Sequence, residues 1–324
     1  MRAARGLAAL AFTAVLAAAC SGGATPTAAP TEAATPAATA AAVATPAVTP
    51  APTATPDACA PANLALKVPG TLTIGTDNPA YPPYFLKGDG AFTPPWEDLG
   101  YTGDPGSGKG FESAVAYAVA EQLGFGKDKV AWAYVPFDSS YAPGDKAFDI
   151  DINQVSYTPE RATAVDMTDG YYTVNQALVA NAGTPITKVT TIAGLKDFKL
   201  GAQQGTTSYS FITDTIQPTT EASVYNSNDA VIAGLNAKQI DGLVVDLPTA
   251  FYITAAQMEN GAIVGQFAAP SGADAEHFSM VLQKGSPLTA CVNKAIAALK
   301  DSGKLDAITK EWLSDKASAP VFQP

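Results

Sequence analysis

Histidine is almost missing from this sequence: His277 is the only one in 324 residues. A multi-histidine metal site is therefore excluded, and no serine-histidine-aspartate triad is read around that lone imidazole, which is expected on the surface or in a loop. Cysteine is nearly as scarce, with three residues and neither a Cys-x-x-Cys redox pair nor a cysteine-histidine cluster. No cofactor is implied. Positive charge is also short, 19 Lys and Arg against 30 Asp and Glu, for a formal net charge of -11. That balance argues against a surface built to grip nucleic-acid phosphates. No apolar run is long enough for a comfortable bilayer span, and no internal repeat is apparent. Yet 47% of the residues are hydrophobic and only 15% are charged, so the chain is not disordered throughout.

The residues that are present divide the chain early. Arg2 and Arg5 precede the apolar stretch Leu7 to Ala19, which stops at Cys20. A basic start, a short apolar core and small residues form the pattern of a secretory signal. Leu16-Ala17-Ala18-Ala19-Cys20 resembles a bacterial lipobox, which implies acylation of Cys20 and a membrane lipid anchor. Residues 21 to 58 hold 15 Ala, 9 Thr and 7 Pro and no Lys or Arg, so little remains there to build a packed fold. This tract reads as a disordered tether. The folded body then runs from Cys59 to Pro324, long enough for one large or two small domains. In an exported chain the even remainder, Cys59 and Cys291, favours a disulfide, with two separate thiols as the alternative.

Short apolar or alternating runs predict strands at Thr71 to Thr76, Lys129 to Val135, Phe148 to Ile152, Tyr171 to Val179, Phe198 to Ala202, Ser223 to Tyr225, Gln239 to Val245 and Phe278 to Gln283. Helical stripes fall between them: Phe111 to Leu123, stopped by Gly124; a stretch from Asp229 to Leu235; and a final pair, Leu288 to Leu299 and Leu305 to Leu313, joined around Gly303. Strand-helix alternation points to an α/β architecture with mostly parallel sheets. Residues 86 to 109 stand apart, with Pro94, Pro95, Pro105 and six glycines and no regular pattern. A long irregular insertion of this kind either borders a binding site or decorates the surface.

Gly75-Thr76-Asp77, Tyr81-Pro82-Pro83-Tyr84 and Gly110-Phe111-Glu112 come in order, followed by Thr158-Pro159-Glu160-Arg161, Val165-Asp166 and Asp169-Gly170-Tyr171-Tyr172. Gly194-Leu195-Lys196, Gln204-Gly205-Thr206-Thr207-Ser208, Asp241-Gly242 and Asp246-Leu247-Pro248 complete the series. This ordered set resembles the bacterial extracellular solute-binding proteins of polar amino-acid ABC transporters. The resemblance implies a periplasmic-binding-protein-like α/β fold: two lobes joined by a two-stranded hinge, with a ligand cleft between them. Lobe 1 is expected to combine 59–179 with 270–324, and lobe 2 to span 180–269. A Cys59–Cys291 bridge would then lie inside lobe 1 and leave the hinge free.

The resemblance also assigns roles. Arg161 would give a two-pronged guanidinium to a ligand carboxylate, where its bland alternative is a surface ion pair. Asp246 would accept from the ligand ammonium; a helix cap is the alternative. Thr206 and Thr207 open a helix whose N–H groups and hydroxyls suit a carboxylate, and they equally suit simple capping. Ser156 matches a hydroxyl or carbonyl contributor, and Gln154 a backbone carbonyl near the ammonium. Asp77 and Asn153 are candidate side-chain readers. Tyr81 or Tyr84, and Phe137, are candidate aromatic walls, with Trp96 the weakest. Two departures from the family pattern are Glu112, where Asp is commoner, and Ala114, where an acid is common. The implied function is non-enzymatic: extracytoplasmic capture of a free amino acid and delivery to ABC permease subunits. A sensory module for a receptor and a periplasmic dehydratase on the same fold are the alternatives.

Overall fold

The computed structural model describes residues 57–268, 275–313 and 319–324. The export segment, Cys20 and the tether lie outside the described residues. Chain order begins with β1 (Leu72–Thr76), α1 (Phe111–Gln122), β2 (Val130–Tyr134), α2 (Phe137–Tyr141), β3 (Ile150–Asp151), α3 (Pro159–Ala164) and β4 (Val165–Met167). There follow β5 (Tyr172–Thr173), β6 (Gln176–Asn181), β7 (Leu200–Gln203), α4 (Thr207–Phe211), β8 (Ser223–Tyr225), α5 (Asn228–Asn236), β9 (Gly242–Asp246), α6 (Leu247–Tyr252) and β10 (Gly261–Gln266). The chain closes with β11 (His277–Phe278), β12 (Val281–Gln283), α7 (Thr289–Asp301) and α8 (Lys304–Trp312).

These strands make two five-stranded sheets, in the orders β2-β1-β3-β12-β4 and β10-β6-β9-β7-β8, and a two-stranded ribbon, β11-β5, between them. Each large sheet departs from the expected parallel order at one strand, which runs against the other four. In each large sheet half of the neighbouring pairs run antiparallel, namely those made by β12 and by β6. The reason is the double crossing. A strand that arrives from the other sheet, as β6 and β12 do, inserts against the direction of strands built by local strand-helix-strand units.

Local chemistry explains the elements on the first sheet. Gly110 precedes α1 with φ 95°, and a Cβ there would lie 2.5 Å from the Tyr84 carbonyl oxygen, so only glycine fits. Phe111, Val115 and Val119 then bury one stripe of α1 against Leu72 and Ile74 of β1 and against α7. Burial of each large side chain of this kind contributes about 1.5–3 kcal/mol. Cys59 and Cys291 form the disulfide, with Cα atoms 5.4 Å apart, and both pack on this core.

Two stretches expected in lobe 1 belong with the second sheet. β6 lies inside it, between β10 and β9. The C-terminal residues return to it as well: Val321 bridges Gln266, Gln323 bridges Thr191, and Phe322 is buried in its apolar layer. Phe322 stacks on Phe267, ring centroids 4.8 Å apart, which gives the tail a reason to leave the first sheet. His277 is also not a loop residue; it pairs with Thr173 in the ribbon and stacks on Tyr157 at 5.5 Å.

The 86–109 insertion is tied down. Leu86 N–H donates to the Lys109 carbonyl (2.9 Å) and Gly103 N–H to the Ala80 carbonyl (2.7 Å). The Asp104 carboxylate accepts from the Thr93 and Gly106 N–H groups. Its far side meets α6, where the Tyr252 hydroxyl donates to the Tyr101 carbonyl at 2.5 Å.

Candidate functional site

A cavity of about 530 Å³ opens where the C-terminal ends of β1, β3 and β9 face the turn before α4. Ligand clefts of α/β sheets form at such strand ends because loops diverge there. Of the residues singled out by sequence, Asp77, Tyr81, Phe137, Asn153 and Gln154 line it from the first-sheet side, together with Arg161. Thr206, Thr207 and Asp246 line it from the second.

Arg161 is placed by its own helix. Thr158 caps α3, its hydroxyl accepting the Arg161 N–H at 3.1 Å, and Pro159 occupies the first helical turn. The guanidinium is buried, so it needs acceptors. Nη1 donates to the Ser156 carbonyl at 2.6 Å, and Nη2 reaches across to the Gly205 carbonyl at 2.8 Å. Its face lies 4.3 Å from the Tyr141 ring centroid. Two of five N–H groups are therefore held by backbone oxygens, one from each sheet's territory. Burial lowers the guanidinium pKa, while Tyr141, Glu276 and Asp246 act the other way.

Asp246 ends β9 and makes no side-chain cap to α6. Its carboxylate is thus not spent on the capping role; Oδ1 accepts from Gln176 Nε2 at 2.8 Å. Burial, then the neighbouring Glu276 charge, push its carboxyl well above the usual carboxylate range. Thr206 does cap: its Oγ accepts the Tyr209 N–H at 3.2 Å and donates to the Gln203 carbonyl at 2.8 Å. Thr207 keeps its hydroxyl 3.4 Å from that of Ser156.

On the first-sheet side, Asp77 Oδ1 accepts the Asn78 N–H, and burial pushes its carboxyl up to about 6. Asn153, 5% exposed, lines the cavity, and its Nδ2 is buried without a hydrogen-bond partner. Gln154 adopts φ 50° and turns both its N–H and its side-chain amide to the Glu112 carboxylate, away from the cavity. Glu112, fully buried, also accepts the Tyr171 hydroxyl, and burial holds its carboxyl up at about 7. Its role is to anchor this loop.

Three expected contacts are corrected. Tyr84 is not a cavity wall; it is 1% exposed in the first core, with its hydroxyl 3.1 Å from that of Thr249. Ser156 does not line the cavity but lies behind it, its carbonyl on Arg161 and its hydroxyl donating to Glu276 at 2.7 Å. Trp96 is buried beneath the site and donates its indole N–H to the Asp77 carbonyl at 2.7 Å. No residue of the 86–109 insertion lines the cavity; it buttresses Asp77 and Tyr81 instead. Tyr81 stacks on Tyr101, centroids 6.4 Å apart, and donates to Asp229 of α5 at 2.8 Å.

Sequence reasoning missed Tyr141, Gln176 and Glu276. Tyr141 had a signal, since Phe137 and Tyr141 are an i, i+4 aromatic pair on one helical face. The other two had none.

Two sheets, a ribbon of two crossing strands and a polar cavity holding a buried arginine and an acid define a two-lobed α/β protein of the solute-binding class. The chain belongs to the bacterial extracellular solute-binding proteins, family 3, whose profile matches residues 89–315. It is 29% identical to the L-arginine-binding protein of Pseudomonas aeruginosa over 78% of this chain and 94% of that one. It is 27% identical to the L-cystine-binding protein TcyJ of Escherichia coli, covering 76% of this chain and 84% of the relative. Among solved structures, an ancestral arginine-binding protein bound to glutamine superposes with a TM-score of 0.60 at 25% identity, covering 76% of this chain and all of that one.

Proposed function

We propose that this protein captures a free amino acid outside the cytoplasm and delivers it to an ABC importer, without covalent chemistry. The observation that carries this reading is one cavity with Arg161 and Asp246 both on its wall. A zwitterion presents a planar carboxylate and an ammonium group a few ångströms apart. The guanidinium suits the first and the carboxylate the second. Arg161 already reaches from the Ser156 carbonyl to the Gly205 carbonyl, so closure of the cleft and completion of its polar contacts are one event.

Asp77 and Asp138 line the same cavity, beside Asn153. The two acids favour a cationic or hydrogen-donating side chain, in keeping with the L-arginine-binding relative. Lobe 1 is taken as 59–175 with 275–313, and lobe 2 as 176–268 with the tail 319–324. Cys20 is the lipid-anchored residue and 21–58 the tether to the membrane. A thermal-shift screen of the twenty amino acids and L-cystine tests the reading. At least one should raise the melting temperature by mass action. No rise with any of them at millimolar concentration would overturn it.

A further inference from the structure

The polar groups that hold the site converge on one side chain that neither lines the cavity nor belongs to any recognised motif. Glu276 lies in the returning crossing, one residue before β11, and its own carbonyl accepts the Val174 N–H of the outgoing crossing at 3.0 Å. Its Oε1 accepts the Ser156 hydroxyl at 2.7 Å and Gln176 Nε2 at 3.2 Å; its Oε2 accepts the same Nε2 at 3.0 Å. Gln176 is 3% exposed. That amide also donates to Asp246 Oδ1 at 2.8 Å, and Gln176 Oε1 accepts the Ser208 hydroxyl at 2.7 Å. Ser156 in turn offers its carbonyl to Arg161 Nη1. Glu276 is thus one side chain removed from both charged groups of the cavity.

We infer that Glu276 is a positioning residue for the amino-acid site: it orients Gln176 and Ser156 so that Asp246 and Arg161 face the cavity together, and its charge makes the ammonium end of that cavity doubly acidic. The inference rests on the amino-acid reading above. An amide NH₂ has two hydrogens and no charge, so Gln176 links the Asp246 and Glu276 carboxylates without neutralising either. Among the described residues, the groups acting on Asp246 are Gln176 of β6, Glu276 of the crossing, Arg161 of α3, Glu112 of α1, Tyr84 and Tyr172. Arg161 is the one cation in that set. A ligand ammonium brings the second, and relieves the repulsion between the two acids as it binds.

Glu276→Gln removes the charge and keeps an acceptor for Ser156. Glu276→Asp keeps the charge on a shorter arm. Two measurements on the intact protein decide the matter. The first needs no ligand: the carbon-13 shift of the Asp246 carboxyl is followed against pH in parent and Glu276→Gln. Its midpoint should move to lower pH in the variant, because a neighbouring like charge is gone. The second is calorimetry with L-arginine, L-cystine and L-glutamine as probes between pH 5 and 8. At pH 8 the Glu276→Gln affinity should fall by about tenfold. Toward pH 5 the gap should close, since Asp246 of the variant stays ionised to lower pH, and Glu276→Asp should recover part of the loss. An unmoved Asp246 midpoint overturns the inference. So does a Glu276→Gln loss that is the same at every pH, which is what simple loosening of the crossings would give. If the parent binds no amino acid, the functional reading falls, and the carboxyl titration still reports on the Asp246–Glu276 pairing. If Glu276→Gln does not fold, the Glu276→Asp titration replaces it: an Asp246 midpoint unchanged by the displaced charge overturns the inference.

Discussion

The two five-stranded sheets treat their second faces differently. In the second sheet both faces are apolar: Ala177 and Val179 enter one layer, Leu178 and Ala180 the other, and Leu243, Val244 and Val245 divide in the same alternation. In the first sheet one face carries the thick core of Leu72, Ile74, Ile150 and Ile152. The other face has only a small cluster around Val155, Val165 and Val281. Asp151 is buried beside it with neither carboxylate oxygen partnered, and Thr73 Oγ1 is likewise unpaired. Gly75 makes room for that acid, since a Cβ there would lie 2.7 Å from Asp151 Oδ2. The second sheet is thus buried between two apolar layers. The first gives up part of one apolar layer to a buried, unpartnered carboxyl group, and a disulfide braces it.

The largest effect should follow from removing that brace. The bridge spans 232 residues, and the chain-entropy picture assigns a loop of that size on the order of 5 kcal/mol. Replacing Cys59 and Cys291 by serine should cost about 3–5 kcal/mol in urea unfolding. Hydrogen exchange should show amide protection lost around α1 and α7 before β6 and β9; uniform loss would erase the contrast between the sheets. Next comes the cavity: Arg161→Ala should weaken amino-acid binding by more than ~2 kcal/mol, about thirtyfold or more. Calorimetry reads this, and equal affinities would remove Arg161 from the mechanism.

Asp151→Val sharpens the comparison by giving the first sheet an apolar second face. An unpaired buried acid is costly, so this variant should gain about 1–2 kcal/mol at pH 8. A loss would mean that the carboxylate has a favourable partner. The pH dependence carries the same sign. Burial raises the folded carboxyls of Glu112, from 4.5 to about 7, and of Asp151, so the folded state binds the extra protons. Parent stability should therefore decline as pH rises between about 4.5 and 7, and the decline should be shallower in Asp151→Val. Smallest is the tie between α6 and the insertion: Tyr252→Phe removes the bond to the Tyr101 carbonyl and should cost about 0.5–1.5 kcal/mol. Thermal melts suffice to detect it.

Most elements of the folded body were legible in the residues. α1, α5, α7 and α8 announce themselves by apolar spacing, with Gly110 ahead of α1 and Gly303 between α7 and α8; Ser227, which caps α5, was not read as its start. Arg161 and Asp246 stood out through short motifs whose geometry is local: a Thr-Pro cap places one, and a strand end before Leu-Pro places the other. Reading failed where one residue type serves two environments. Tyr81 and Tyr84 are three apart in the same motif, yet one faces the cavity and the other the core. Nothing in their own identities separates them; the direction in which the backbone leaves β1 does.

Composition and order of residues were enough to settle a scarcity of histidine chemistry and an acidic α/β chain, because each depends on side-chain type or on neighbours within a turn or two; Arg161 and Asp246 were singled out through the family resemblance. Tertiary structure alone decided that one strand of each large sheet would run against the other four, that the tail would close on Phe267, and that Glu276 would meet Gln176 and Ser156, 100 and 120 residues away. Contacts at that separation are set by where two crossings bring the chain together in space. No local propensity encodes them.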